Sequence, residues 1–171
     1  MLEQLRTFWD IALWRRDPGQ LPCSWALVAA TAAAYLLVSW AQAWQLYGED
    51  RALLRAAADL ALTLLVFRAV LALAGRPARF QQAIAAVLGV STLLSLPMMV
   101  VAGLREPAAE HYPVALLAWV ASLALIVWYL FALGHVIRSA LETGLFTAMV
   151  ISVTFAFGSS AVLTRLIPTG P

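Results

Sequence analysis

The chain has 171 residues, of which 63% are hydrophobic and only 12% are charged, and its formal net charge at pH 7 is +2. A soluble domain carries roughly 25% charged residues, so this composition argues against a water-facing surface and predicts that lipid surrounds most of the chain. All eleven basic residues are scattered arginines, which argues against a nucleic-acid-binding patch. The single cysteine, Cys23, excludes an internal disulfide and a cysteine-based metal cluster.

The N-terminal segment, residues 1–17, is predicted to be an amphipathic helix that lies in the membrane interface. Its charged residues fall largely on the side opposite to an apolar stripe. That stripe has helical spacing and consists of Leu2, Leu5, Phe8, Trp9, Ala12 and Leu13. The helix is expected to end at Asp17-Pro18-Gly19. A lid or anchor on the helix bundle is favoured over a dedicated membrane sensor.

The remainder, residues 18–171, is predicted to be a single membrane domain with about five spans. A spanning helix needs about 20 mostly apolar residues, and the runs lack the alternation of a membrane strand. The fold class is therefore an all-α polytopic membrane helix bundle. The spans are expected at about residues 22–43, 52–74, 80–104, 114–137 and 145–167, and the fourth continues as helix to Leu141. Pro97 predicts a kink in the third span, as a hinge or a static bend.

The placement of arginines predicts the orientation. With a cytoplasmic N-terminus, seven arginines lie inside and four lie outside, which fits the positive-inside rule. The inner set is Arg6, Arg15, Arg16, Arg68, Arg76, Arg79 and Arg138, and the outer set is Arg51, Arg55, Arg105 and Arg165. The C-terminus is then periplasmic. Abundant arginine and alanine without lysine suggest a GC-rich bacterial genome and hence a bacterial inner (plasma) membrane.

The fifth span carries a row of small residues at every fourth position. The row consists of Gly144, Ala148, Ser152, Ala156, Ser160 and Thr164. Because lipid gives no hydrophobic drive for helix pairing, small residues permit the close backbone approach that membrane helices need. Packing inside one bundle is favoured over a subunit interface, and either role is structural.

The second span contains two charged residues four positions apart, Arg55 and Asp59. Charge inside a membrane is costly and prompts a functional hypothesis. A structural ion pair, in which the two residues neutralise each other near the outer interface, is the favoured interpretation. An ion or substrate site is the alternative.

The end of the fourth span carries a polar group of three residues, His135, Arg138 and Glu142, which share one helix face. Arg138 and Glu142 can pair. The group could receive a partner protein or a lipid headgroup, although an ordinary solvated helix end is favoured. His111 is expected on the other side of the membrane, so the two histidines cannot share a metal.

Two stretches resemble bacterial Yip1-like membrane proteins. The first runs from Gly75-Arg76-Pro77-Ala78-Arg79-Phe80 into Val87-Leu88-Gly89-Val90-Ser91-Thr92-Leu93-Leu94-Ser95-Leu96-Pro97. The second is Trp128-Tyr129-Leu130-Phe131-Ala132-Leu133, followed by His135 and Arg138. The resemblance covers about residues 52–165. It implies a five-span fold and a role in membrane organisation or trafficking, without catalysis.

These observations favour a non-enzymatic membrane scaffold or accessory subunit. No phosphate-binding loop, nucleophile elbow or zinc-protease motif occurs, so no catalytic, cofactor-binding or metal-binding residue is predicted, and no cofactor is expected. The expected partners are the lipid bilayer and other membrane proteins or a second copy of the chain, but no nucleic acid. The alternative is a small transporter or channel component that uses Arg55 and Asp59.

Overall fold

The computed structural model describes residues 2–48, 51–104 and 112–168, and these residues contain six α-helices. In chain order the helices are α1 (Leu2–Ala12), α2 (Trp25–Tyr47), α3 (Ala52–Leu73), α4 (Phe80–Gly103), α5 (Tyr112–Leu141) and α6 (Leu145–Leu166). Short 3-10 turns at Pro18–Gln20 and Pro77–Arg79 lie in two of the connections. Two residues predicted on the outer side, Arg105 and His111, lie outside the described residues.

Five of these helices, α2 to α6, are long and apolar enough to cross a membrane, which confirms the predicted all-α bundle. The predicted continuation of the fourth span to Leu141 is also correct. At 1.5 Å per residue, the 30 residues of α5 extend about 45 Å. Since the hydrocarbon core is only about 30 Å thick, the last turns of α5 are expected to project beyond it.

The predicted bounds of the first span were wrong by a few residues at each end. The helix begins at Trp25 rather than at Pro22 because Ser24 caps it, its hydroxyl oxygen accepting a hydrogen bond of 3.4 Å from the Leu27 amide. It continues to Tyr47, where Gly48 adopts φ 79°. Glycine reaches that region without steric cost and so ends the helix.

The five long helices form a ring. Around the ring the order is α2, α4, α5, α6 and α3, and α3 packs against α2 to close it. The N-terminal helix α1 packs outside this ring against α4 and α5. Its residues Phe8, Ile11 and Ala12 are buried there, whereas Leu5 and Trp9 remain exposed. The placement of α1 in the membrane interface stays a prediction.

The two halves of the ring differ in packing. Near the start of α4 and the end of α5 the interior is close-packed and apolar, and Ile84, Leu88 and Val136 have no exposed surface. Towards the opposite end, where α2 ends and α3 begins, the helices separate around a polar cleft. The fold therefore combines a sealed half with an open half.

Candidate functional site

A cleft of about 360 Å³ lies inside the ring, and each of the five long helices contributes to its wall. More than half of its lining residues are polar, which distinguishes it from the dry interior of the sealed half. The polar set is Tyr35, Ser39, Gln42, Arg55, Asp59, Thr63, Ser91, Ser95, Tyr129, Ser159 and Ser160. A cleft of about 360 Å³ with polar groups on its wall has room for several water molecules, at about 30 Å³ each.

Among the described residues that line this wall, Asp59 alone carries a carboxylate, and it faces α2. The Tyr35 hydroxyl donates a hydrogen bond of 2.5 Å to Asp59 Oδ2. Both side chains are half-buried. A hydroxyl donor orients the carboxylate without cancelling its charge, so Asp59 keeps acceptor positions for a further donor.

Arg55 lies one helical turn before Asp59 and extends towards the end of α6. One guanidinium nitrogen donates a hydrogen bond of 3.2 Å to the carbonyl oxygen of Ile167, and another donates a hydrogen bond of 3.2 Å to Thr164 Oγ1. The carbonyl end of a helix carries partial negative charge, which stabilises a cation placed there. Arg55 therefore holds α6 against α3, and its positive charge also acts on Asp59.

Arg55 and Asp59 were predicted from the sequence as a possible site, but the hydroxyl groups that line the cleft around them were not assigned to it. Ser39 and Tyr35 of α2, with Ser91 of α4 and Tyr129 of α5, line the same cleft. The sequence does contain a signal for these residues, because each hydroxyl side chain interrupts an otherwise apolar run. It could not identify the site, because the sequence does not show which faces of different helices meet.

The small-residue row on α6 divides between packed and exposed positions. Ala148 and Ser152 are fully buried, and the Ser152 hydroxyl donates a hydrogen bond of 2.8 Å to the carbonyl of Leu130 on α5. Ala156 is half-buried and lines the cleft. Gly144, Ser160 and Thr164 are exposed. Close approach of α6 to α5 is thus concentrated at the start of the row.

The second predicted group, His135, Arg138 and Glu142, lies at the opposite end of the bundle from Asp59. These residues line a cleft of about 530 Å³ between the end of α5 and the segment after α1. The carboxylate of Glu142 forms an ion pair of 2.5 Å with Arg76 and also binds Arg79. The pairing predicted with Arg138 does not occur, since the connection before α4 brings two other arginines closer.

His135 is held by contacts with the segment after α1. Its ring stacks on Trp14 with centroids 5.1 Å apart. His135 Nε2 lies 3.1 Å from the carbonyl oxygen of Arg16. A carbonyl oxygen only accepts hydrogen bonds, so Nε2 carries the proton. The position of His135 is therefore fixed by tertiary contacts rather than by its own helix.

Two carboxylates beside this second cleft have lowered pKa values. Hydrogen bonding from Arg76, with the charges of Arg76 and Arg79, holds the pKa of Glu142 below its ordinary value. The hydroxyl of Ser139 and the backbone amide of Gly19, the latter at 2.8 Å, lower the pKa of Asp17. Both groups are thus stabilised in their charged form at neutral pH.

Comparison with known proteins adds no functional assignment. No family model matches the chain, and neither a curated protein nor a solved structure is significantly similar to it.

Proposed function

We propose that the protein is a small transport or channel component that binds a small cationic solute in the cleft around Asp59. The observation that carries this proposal is a hydroxyl-lined cleft inside a membrane helix bundle, with a carboxylate on its wall. Ionisable groups within membrane spans are costly, so they are retained mainly where they face a partner or a pathway.

The charges on the wall favour a cation. Arg55 donates hydrogen bonds to the end of α6. The partial negative charge at that helix end partly offsets the positive charge of Arg55. Asp59 is oriented by the neutral hydroxyl of Tyr35, so it offers a negative charge to a ligand. An ammonium group placed at Asp59 would also find hydroxyl acceptors on α2, α4 and α5.

The size of the cleft and the route into it limit which solutes can bind. Ligand-binding pockets commonly enclose about 300–1,000 Å³, so a cleft of about 360 Å³ suits a small molecule rather than a peptide or a lipid tail. The lining of the cleft reaches Leu46 near the end of α2 and Arg55 near the start of α3, whereas the opposite half of the bundle is close-packed. The solute is therefore proposed to enter from the side of the α2–α3 connection.

Cysteine modification tests this proposal directly. In a Cys23→Ser background, a single cysteine at Ser95 places a reactive thiol on the cleft wall. We expect it to react with small thiosulfonate reagents, and an ammonium-bearing reagent to react several-fold faster than a sulfonate-bearing one. Asp59→Asn should remove most of that preference, because the carboxylate attracts the cation.

Ser122 provides the matched control. Ser122 belongs to α5, and its side chain is buried and does not line the cleft. Its hydroxyl donates a hydrogen bond of 2.8 Å to the carbonyl of Ala118. A cysteine at Ser122 should therefore remain unreactive in the folded protein. An unreactive thiol at Ser95, or the same reagent preference in the Asp59→Asn protein, would refute a cation-selective hydrated cleft.

A scaffold or accessory-subunit role is the second candidate, and the exposed end of the small-residue row favours it. Ser160 and Thr164 at that end of the row are exposed, and Ser160 also lines the cleft. Such a surface suits close packing with another membrane helix. The Yip1-like resemblance points to the same role. Disulfide cross-linking of a single cysteine at Ser160 would detect self-association, and its absence would leave a foreign subunit as the partner to identify.

The cellular setting proposed from arginine placement is a bacterial inner membrane with a cytoplasmic N-terminus. In this orientation the Asp59 cleft opens towards the periplasm, and the cleft that contains His135 faces the cytoplasm. Solute entry would then begin at the periplasmic side.

A further inference from the structure

We propose that the cleft between α5 and the segment after α1 binds the phosphate group of an anionic phospholipid, with Arg15 and Arg138 as its ligands. We call it the basic cleft and define it by Trp14, Arg15, Arg16, His135 and Arg138. The inference is independent of the solute proposed for Asp59, because the two clefts lie at opposite ends of the bundle.

The charge around the basic cleft is positive and only partly balanced. Asp17 and Glu142 also line it, but both already have donors. Ser139 and the Gly19 amide donate to Asp17, whereas Arg76 and Arg79, which come from the connection before α4, bind Glu142. Arg76 and Arg79 therefore balance the charge of Glu142, whereas the neutral donors of Asp17 leave its charge in place, so three arginines of the cleft face one uncompensated carboxylate.

Two of the three arginines in the basic cleft are available to a ligand. Arg16 donates a hydrogen bond of 3.3 Å to Gln20 and one of 2.9 Å to Thr7. Arg15 and Arg138 are exposed, and within the described part of the chain neither guanidinium group forms a hydrogen bond or an ion pair. Guanidinium groups donate in a fixed fork that matches the oxygens of a phosphate group.

The surroundings of the basic cleft favour a lipid over a free phosphate ion. Trp14 contacts Phe131 of α5 with ring centroids 6.1 Å apart. Phe131 and Val127 belong to an exposed apolar face of α5 that continues from the cleft towards the middle of the span. A phospholipid whose phosphate binds the arginines would lay an acyl chain along this face.

Native mass spectrometry of the purified full-length chain in mild detergent tests the proposal. The probes are phosphatidylglycerol, which carries one negative charge, and phosphatidylcholine, which is zwitterionic. We expect preferential retention of phosphatidylglycerol. Arg15→Gln with Arg138→Gln should weaken it about tenfold, as expected for the loss of a charge-assisted hydrogen bond.

The control variant is Arg6→Gln with Arg165→Gln, which removes the same charge from exposed positions outside the basic cleft. It should retain phosphatidylglycerol as the unmodified chain does. Arg138→Gln alone gives a milder test, since its exposed side chain has no partner whose loss would disturb folding.

Three outcomes would overturn the proposal. Equal retention of the two lipids would show that the cleft does not select anionic headgroups. Equal weakening by the cleft and control variants would show that net charge alone attracts the lipid. Displacement of phosphatidylglycerol by millimolar inorganic phosphate would identify a free phosphate site, because an ion without acyl chains would not compete with a lipid held along α5.

Discussion

The ring of Phe8 occupies the place that a side chain at Gly89 would fill. A Cβ atom at Gly89 would lie 2.5 Å from Phe8 Cδ1 and 2.5 Å from Phe8 Cε1, which is well inside van der Waals contact. Gly89 lies near the middle of α4, so α1 is docked against the central part of that helix. The absence of a side chain at Gly89 therefore permits the close approach of α1 to α4 through Phe8.

Gly89→Ala should weaken the docking of α1. The added methyl group would force the Phe8 ring outward, with a destabilisation of about 1–3 kcal/mol, typical of overpacking in a close-packed interior. Thermal unfolding in detergent measures the loss, and Phe8→Leu added to Gly89→Ala should recover part of it.

Gly134→Ala serves as the control for this prediction. Its Cβ would lie 2.6 Å from Met149 Sδ, but the flexible methionine side chain can move away. The loss at Gly134 should be smaller than the loss at Gly89. Equal stability of Gly89→Ala and the unmodified chain would mean that α1 is not docked through Phe8.

Arg55→Gln should release the C-terminal end of α6. Arg55 is buried and donates hydrogen bonds to Ile167 and Thr164. Removing a buried hydrogen-bonding charge leaves its acceptors unpaired, at a cost of about 1–3 kcal/mol. Thermal unfolding and proteolysis near the C-terminus report the change. Arg165→Gln, an exposed arginine at the same end, should have little effect, and equal losses for both variants would contradict the anchoring role of Arg55.

Replacing Ala148 by the larger leucine should disrupt the contact between α6 and α5. Ala148 has no exposed surface, so leucine there must push the two helices apart, at a cost of about 1–3 kcal/mol. Val150→Leu adds a methylene group at an exposed position of the same helix and should be tolerated. Thermal stability in detergent distinguishes the two variants. If Ala148→Leu were as stable as the unmodified chain, this face of α6 would lie outside the packed interior.

The ion pairs of Glu142 should make stability depend on pH in the acid range. The pKa of Glu142 is lowered from an ordinary value near 4.5 in the folded chain, so the unfolded chain takes up the proton first. The stabilisation is therefore fully present above that ordinary value and is lost as the pH falls through the lowered folded-state pKa.

Glu142→Gln should remove this contribution. The variant should be less stable than the unmodified chain at neutral pH, and the difference should vanish in acid. The effect is expected to be small, since the pair is solvent-exposed and screened. Thermal unfolding across the acid range measures it, with Arg138→Gln as a control because Arg138 does not pair with Glu142. A difference that persists in acid would show that Glu142 acts through packing instead.

A reporter fused after Pro171 should report a periplasmic C-terminus. The expectation follows from five spans and from seven of eleven arginines on the side of the N-terminus. A pair of fusions, to alkaline phosphatase and to green fluorescent protein, gives complementary signals. Strong fluorescence with no phosphatase activity would contradict the proposed orientation. The Asp59 cleft would then lie towards the cytoplasmic side.

The sequence by itself determined the number of spans and most of their ends. Hydropathy and helix length are local properties, and a segment in lipid must satisfy its own backbone hydrogen bonds. The predicted ends of α3, α4 and α6 therefore lie within one residue of the structure. The exceptions were the start of α5, which lies two residues earlier than predicted, and both ends of α2, which are set by the cap at Ser24 and the glycine at Gly48.

Only the tertiary structure decided which polar residues meet. Tyr35 and Asp59 come from different helices, and Glu142 binds arginines that precede α4 instead of Arg138 on its own helix. Helical spacing shows which residues share a face, but not which face turns towards which neighbour. That choice depends on packing summed over all five spans, because lipid gives an isolated apolar face no preference for protein over bilayer.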